Sequence, residues 1–183
     1  MAIDRYPWRG FPAVWIHAEE LAVKRHLDYA AAKAGDSNAA FRLVISWVAK
    51  HIVDALRQTF DDCKPTLVSA HAIEREGVNA IPEALAEHLG SQLTWPVDSE
   101  IVQTNVVGHT GADGFTRLAL QAEFGGTIEA GRTYLLVDDF IGQGGTLANL
   151  RGFVLKGGGE VVGATVLTGK PYSAILTPHE ESL

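Results

Sequence analysis

The chain has 183 residues, 46% of them hydrophobic and 20% charged, which is ordinary for a globular protein and long enough for one sizeable core. A net charge of −7 argues against a broad electrostatic grip on nucleic acid, and a single cysteine, Cys63, excludes an intrachain disulfide and a multi-cysteine metal site. The start, Met1 to Trp8, lacks the continuous apolar core of a signal peptide, and the longest apolar run, Leu43 to Val53, is broken by Lys50 and His51. The expectation is a soluble cytoplasmic protein with no membrane or nucleic-acid partner, forming one domain over 1–183. Within it, 1–40 reads as an arm and helix, 41–170 as the core and 171–183 as a tail.

Residues 1–15 carry Tyr6, Pro7, Trp8, Phe11, Pro12 and Trp15. They read as an irregular arm packed on the domain by its rings, with a flap or hood over a ligand as the sharper alternative. Glu19 to Ala34 predicts a helix with Val23, Leu27, Ala30, Ala31 and Ala34 on one face. Gly35 ends it, and Asp36 or Ser37 caps the next helix, whose stripe runs through Phe41, Val44, Ile45, Val48, Ile52 and Leu56. A strand follows from Thr66 to Ala70, then a loop over 71–78. The next helix is capped by Asn79, tolerates Pro82 in its first turn and stops at Gly90.

Gln92 to Val97 reads as a strand, and Glu100 to Val107 as its extension or a hairpin partner. Residues 108–131 form an irregular, glycine-bearing connection of the kind that builds lids, with an ordinary hairpin excursion as the alternative. Tyr134 to Val137 is the central strand. A helix from Leu147 carries Leu147, Leu150, Phe153 and Val154 on its apolar face and ends at Gly157 to Gly159. Val161 to Leu167 is the last clear strand. Strands alternating with helices predict an α/β fold with a mostly parallel sheet flanked by helices.

The chemistry concentrates at Asp138-Asp139-Phe140-Ile141-Gly142-Gln143-Gly144-Gly145-Thr146. A strand, a glycine-rich turn and a helix N-terminus make an anion site, and the two carboxylates add acceptors for sugar hydroxyls or hydrated Mg²⁺. Loops 71–78, 105–117 and 138–146 fall at carboxyl ends of strands, where open parallel sheets bind ligands, and 168–172 is a fourth contributor.

The run Tyr134 to Thr146 resembles the phosphoribosyl pyrophosphate signature of type I phosphoribosyltransferases, and the resemblance extends by order of elements over roughly 40–170. It implies a transferase of nucleotide metabolism that displaces pyrophosphate from C1 of the ribose with a nucleobase-like nitrogen acceptor, using Mg²⁺. Asp138 and Asp139 would face the ribose 2′- and 3′-hydroxyls, directly or through water on Mg²⁺. Ile141, Gly142, Gln143, Gly144, Gly145 and Thr146 would hold the 5′-phosphate. Ala70, His71, Arg75 and Gly77 would approach the pyrophosphate, and His109 and Arg117 would close over it from the connection 108–117. Lys170 would meet the base, with Tyr172 or an N-terminal tryptophan stacking on it. A homodimer is compatible with the resemblance.

The family usually has Thr or Ser where Gly142 and Gln143 stand, and loop 70–78 is longer than its counterpart and carries Glu74 and Glu76. These departures keep a second reading open, a non-catalytic module that senses a ribose-phosphate metabolite on the same fold. Other chemistries lack their patterns. Ser69 has no Gly-x-Ser-x-Gly elbow, Gly-Gln-Gly-Gly-Thr lacks the Walker lysine, and no Gly-x-Gly-x-x-Gly follows the first strand. His17, His26, His51, His88 and His179 show no metal spacing and read as structural or surface residues.

Overall fold

A computed structural model describes residues 6–69, 73–74, 77–103 and 124–176. Five strands form one parallel sheet in the order β1-β9-β8-β2-β5: β1 (Trp15–Glu19), β9 (Glu160–Gly169), β8 (Thr133–Ile141), β2 (Thr66–Ser69) and β5 (Val97–Asp98). Two small antiparallel ladders stand apart, β3 (Ile73–Glu74) with β4 (Gly77–Val78) and β6 (Val102–Gln103) with β7 (Phe124–Gly125). The expected α/β class with a mostly parallel, helix-flanked sheet is what the chain adopts.

Helices cover both faces, because strands buried on both sides alternate their side chains between two apolar layers. On one face Leu67, Leu135 and Val137 pack with α3 (Ser37–Trp47), α4 (Lys50–Phe60) and α5 (Ile81–Leu93). On the other, Val68, Tyr134 and Leu136 pack with α6 (Gly145–Lys156) and the N-terminal arm. Arg151 of α6 pins that arm. Its Nη1 donates to the carbonyls of Tyr6 (3.1 Å) and Pro7 (3.2 Å), and its guanidinium lies 4.9 Å from the Trp8 ring and 5.5 Å from that of Phe11. The arm thus packs on the domain by its rings.

Several sequence expectations need correction. Glu19 to Ala34 is not one helix: β1 claims Glu19, and two short helices follow, α1 (Glu20–Lys24) and α2 (Tyr29–Lys33). The supposed apolar face is largely outside, with Leu27 87% exposed, while Val23 and Ala32 are buried. Between the two helices, Asp28 is held by Arg42, with Nε to Oδ2 at 3.1 Å and Nη2 to Oδ1 at 2.6 Å. This pairing keeps the Asp28 carboxyl below its usual range.

The stripe Phe41 to Leu56 also belongs to two helices. Val48 and Ala49 are extended, and the Ala49 N–H donates to His17 Nδ1 (3.2 Å) instead of continuing the helical ladder. Phe41 and Ile45 consequently face outward, and Leu43 and Phe60 join the core. The cap at Asp36 is as expected, its carboxylate accepting from the Ala39 N–H at 3.0 Å.

Asn79 does not cap by position, since α5 takes Ala80 as its N-cap; its Oδ1 instead accepts from the Ile81 N–H at 3.2 Å. Gly90 is not a stop. A Cβ there would lie 2.5 Å from Val97 Cγ2, so this glycine lets α5 press on β5 and the helix runs on to Leu93. Thr94 ends it in the left-handed region at φ 60°. The strand expected at 92–97 is therefore only Val97–Asp98, and within 100–107 the described residues Val102–Gln103 form an antiparallel pair with β7, while 104–107 lie outside the described residues. Of the connection expected at 108–131, residues 108–123 lie outside the described residues.

Candidate functional site

β8 is the middle strand, and the Tyr134 to Val137 run is its start rather than its whole. Pairing with β9 continues through Asp138↔Val166, Phe140↔Thr168 and Ile141↔Gly169. Gly169 makes the last pair feasible, because a Cβ there would sit 2.3 Å from Ile141 Cγ2. The two carboxylates therefore lie within the strand, not in a loop beyond it. Alternation gives Asp139 the face of Leu135 and Val137, and Asp138 the face of Tyr134 and Leu136.

Both carboxylates are buried. Asp138 Oδ1 accepts from the Asp139 N–H at 2.8 Å. Burial first, and the neighbouring Asp139 carboxylate second, push the Asp138 carboxyl well above its usual range. Asp139 Oδ2 lies 3.2 Å from Lys33 Nζ, the last residue of α2. Periodicity could not point to Lys33. Nothing in the spacing around Lys33 marks Asp139 as its partner, and of the run Ala30 to Ala32 only Ala32 is buried.

After Ile141 the loop is short. Gly142, Gln143 and Gly144 lead into α6, which opens at Gly145, two residues before the expected start at Leu147. Gly144 caps it in the left-handed region at φ 72°, and a Cβ there would lie 2.6 Å from Leu176 Cδ2. Gly142, Gly145 and Thr146 are partly accessible and Gln143 is exposed. A helix N-terminus presents amide N–H groups that favour an anion.

The same edge receives the end of β9. The Lys170 N–H donates to the Ile141 carbonyl at 3.3 Å, beside a 3₁₀ turn at Pro171–Ala174. Lys170 Nζ lies 5.7 Å from the centre of the Tyr172 ring, which is 74% exposed. A hydrogen bond to Tyr172 raises the pKa of Lys170, with smaller help from Glu20. The structure thus brings Asp138, Asp139, the 141–146 turn, Lys170 and Tyr172 to one edge. Gly77 lies in β4, next to α5 in sequence. Ala70, His71, Arg75, His109 and Arg117 lie outside the described residues.

Two cavities bounded by described residues lie away from the carboxylates. One of about 220 Å³ opens between α4 and α5 at Val53, Arg57 and His88. Another of about 540 Å³ lies at the opposite edge of the sheet, beside Thr66, Pro96, Arg132 and Tyr134. Donor chemistry, rather than cavity size, selects the edge at Asp138. Among the described residues no group of three or more His, Cys, Asp or Glu side chains is arranged to hold a metal ion, and no helix is long and apolar enough to cross a membrane.

No protein-family model matches the chain. It is 38% identical over 165 residues to Protein TraN of Escherichia coli, covering 90% of this chain and 37% of that protein. It is 37% identical over 131 residues to an uncharacterized protein of Haemophilus influenzae, covering 72% of this chain and 29% of that one. The chain thus spans about a third of the length of these curated relatives. Among solved structures, an adenine phosphoribosyltransferase overlaps 75% of this chain and 76% of its own, at 14% identity and a TM-score of 0.47. The Saccharomyces cerevisiae adenine phosphoribosyltransferase overlaps 96% of this chain and 90% of its own, at 14% identity and a TM-score of 0.46. At these scores the sheet order, not the overlap, describes the fold.

Proposed function

We propose that the carboxyl edge of β8 binds the ribose 5-phosphate part of phosphoribosyl pyrophosphate, and that the chain transfers it to a nucleobase-like nitrogen acceptor. One observation carries the reading: a buried acid pair on the central parallel strand stands directly before a short glycine loop that opens α6. In this reading Asp138 and Asp139 accept from ribose hydroxyls, and the amides of Gly142 to Thr146, with the Thr146 hydroxyl, hold the phosphate. Lys170 and Tyr172 border the acceptor. Ala70, His71, Arg75 and Gly77 on the pyrophosphate side, and His109 and Arg117 over it, remain part of the proposal.

The acceptor nitrogen forms a bond to C1 as the C1–O bond to pyrophosphate breaks. The leaving group takes the electron pair, and the acceptor N–H yields its proton to a base. The protein's share is positioning and electrostatic stabilisation of an oxocarbenium-like state. Asp138 and Asp139 would hold Mg²⁺ only through its water and substrate oxygens, since Lys33 already sits against Asp139. Bound there, Mg²⁺ would neutralise charge on the leaving pyrophosphate.

Calorimetry with phosphoribosyl pyrophosphate, followed by a pyrophosphate-release assay across nucleobases, tests the reading. The variant Asp138→Asn/Asp139→Asn is expected to lose turnover with its circular dichroism spectrum unchanged; release at the wild-type rate would falsify the assignment. The second reading, a ribose-phosphate sensor without turnover, is favoured by the Lys33–Asp139 pair and by Gly142 and Gln143 in place of hydroxyl donors. Tight binding with no pyrophosphate released for any acceptor would select it.

A further inference from the structure

We propose that Lys33 is a built-in counter-cation of the acid pair, filling the position at Asp139 that a divalent ion would otherwise take, so that a ribose monophosphate binds this edge without a metal ion. The proposal rests on the ribose-phosphate reading of the site only in its second clause. Its first clause rests on the ion pair itself.

The pair is fixed rather than incidental. Lys33 Nζ lies 3.2 Å from Asp139 Oδ2, and the two side chains are only 20% and 12% exposed. α2, which carries Lys33, is tied down at the preceding residue. Ala32 is fully buried, and its carbonyl accepts from the Ala80 N–H at 3.1 Å at the start of α5 and from the Gly35 N–H at 3.2 Å. The Asp36 N–H donates to the Ala31 carbonyl at 3.0 Å, closing the turn after the helix. Asp139 is equally fixed, within a strand paired on to Ile141. An ammonium held against a largely buried carboxylate offsets its charge in a medium that screens little.

A carboxylate such as Asp139 without a cation beside it offers hard oxygen ligands to a divalent ion. With the ammonium present, a divalent ion at Asp139 must first displace Lys33 from that carboxylate. The diol of a ribose needs acceptors rather than a metal, and Asp139 keeps acceptor capacity beside a single ammonium contact. The first-turn amides of α6 supply the favourable field for the phosphate.

The test begins on the ligand-free protein. Mn²⁺ binding is followed by the electron paramagnetic resonance signal of the free ion in wild type, Lys33→Met, Lys33→Arg and Lys33→Met/Asp139→Asn. Lys33→Met, which keeps the chain length but not the charge, is expected to bind Mn²⁺ about tenfold more tightly than wild type. Lys33→Arg should behave as wild type, and the double variant should lose the gain. Thermal melts check that all four proteins are folded, and Lys33→Gln replaces Lys33→Met if the latter is not.

Calorimetry with ribose 5-phosphate follows, in Mg²⁺ and in EDTA. Wild-type affinity is expected to differ by less than about twofold between the two, whereas Lys33→Met loses about tenfold in EDTA and recovers it with Mg²⁺. Equal Mn²⁺ binding by wild type and Lys33→Met overturns the counter-cation role. A wild type that needs Mg²⁺ for ribose 5-phosphate overturns the metal-free binding. If the Mn²⁺ gain appears but ribose 5-phosphate binds neither protein, the ribose-phosphate reading and metal-free binding fall, while the role of Lys33 stands.

Discussion

The imidazole of His17 on β1 lies 3.2 Å from the hydroxyl of Thr165 on β9, and the two side chains close a chain of hydrogen bonds through the core. The Ala49 N–H donates to His17 Nδ1, so the proton sits on Nε2 and is donated to Thr165 Oγ1, which in turn donates to the Trp15 carbonyl at 3.1 Å. Protonating Nδ1 would set two donors against each other. Burial, followed by the charges of His51 and His88, lowers the His17 pKa from 6.5 to about 4.

That shift makes stability fall with acid. Between pH 6.5 and about 4 the unfolded chain binds a proton at His17 that the folded chain refuses, so stability is present above 6.5 and is lost as pH drops. The contribution is about 2–3 kcal/mol by pH 4.5. His17→Gln keeps an acceptor and a donor but does not titrate. Its urea-unfolding free energy is expected to fall less steeply than wild type between pH 7 and 4.5; parallel pH curves would refute the assignment.

Gly169 and Gly144 frame the loop for different reasons. A Cβ at 169 would meet Ile141 Cγ2 at 2.3 Å and the Ile141 carbonyl oxygen at 2.9 Å, and backbone cannot easily move aside. Gly169→Ala is expected to cost about 2–3 kcal/mol and lower Tm by about 5–10 °C. Gly144→Ala meets only the end of Leu176 but must hold φ at 72°, costing about 1–2 kcal/mol. Gly10→Ala, at φ 68° with nothing within 4 Å, reports the backbone cost alone. Calorimetric melts should rank them 169, 144, 10.

Arg151→Met should free the N-terminal arm without unfolding the domain. Arg151 supplies two hydrogen bonds to arm carbonyls and lies over two aromatic rings, while its Nε finds no partner among the described residues. The loss is about 2 kcal/mol of local stability, so limited proteolysis beside Phe11 should quicken about thirtyfold at an unchanged global Tm. A rate within about threefold of wild type would show that the rings alone hold the arm.

Asp36→Ala removes the acceptor for the Ala39 N–H and is expected to cost about 1 kcal/mol, lowering Tm by about 2–4 °C. Asp36→Asn should keep most of that stability. Equal losses in the two variants would place the effect outside the cap.

Much of the architecture was legible because its signals are local. The run Tyr134 to Val137 is apolar enough to be a doubly buried strand, Asp36 is a cap by type and position, and Gly157 stops α6 where the apolar stripe ends. The order of acids, glycine loop and helix was equally visible. The two-helix break at Val48 and Ala49 was not, because the apolar stripe runs through it in phase. What breaks the helix is an acceptor from His17, 32 positions away. Gly90 misled for a related reason: a glycine that ends a helix and one that admits a neighbouring strand look alike until Val97 is in place.

The sequence by itself determined the α/β class, the strand that bears Asp138 and Asp139 and the helix that begins after the glycine turn, since each follows from periodicity and residue type over a few neighbours. Only the tertiary structure decided that the acids lie inside the paired strand and that Lys33, 106 positions from Asp139, neutralises one of them. Strand length depends on a partner that can accept it, here β9 with Gly169. The charge state of a carboxylate depends on what the fold brings to within a few ångströms, and neither is encoded in the spacing of residues along the chain.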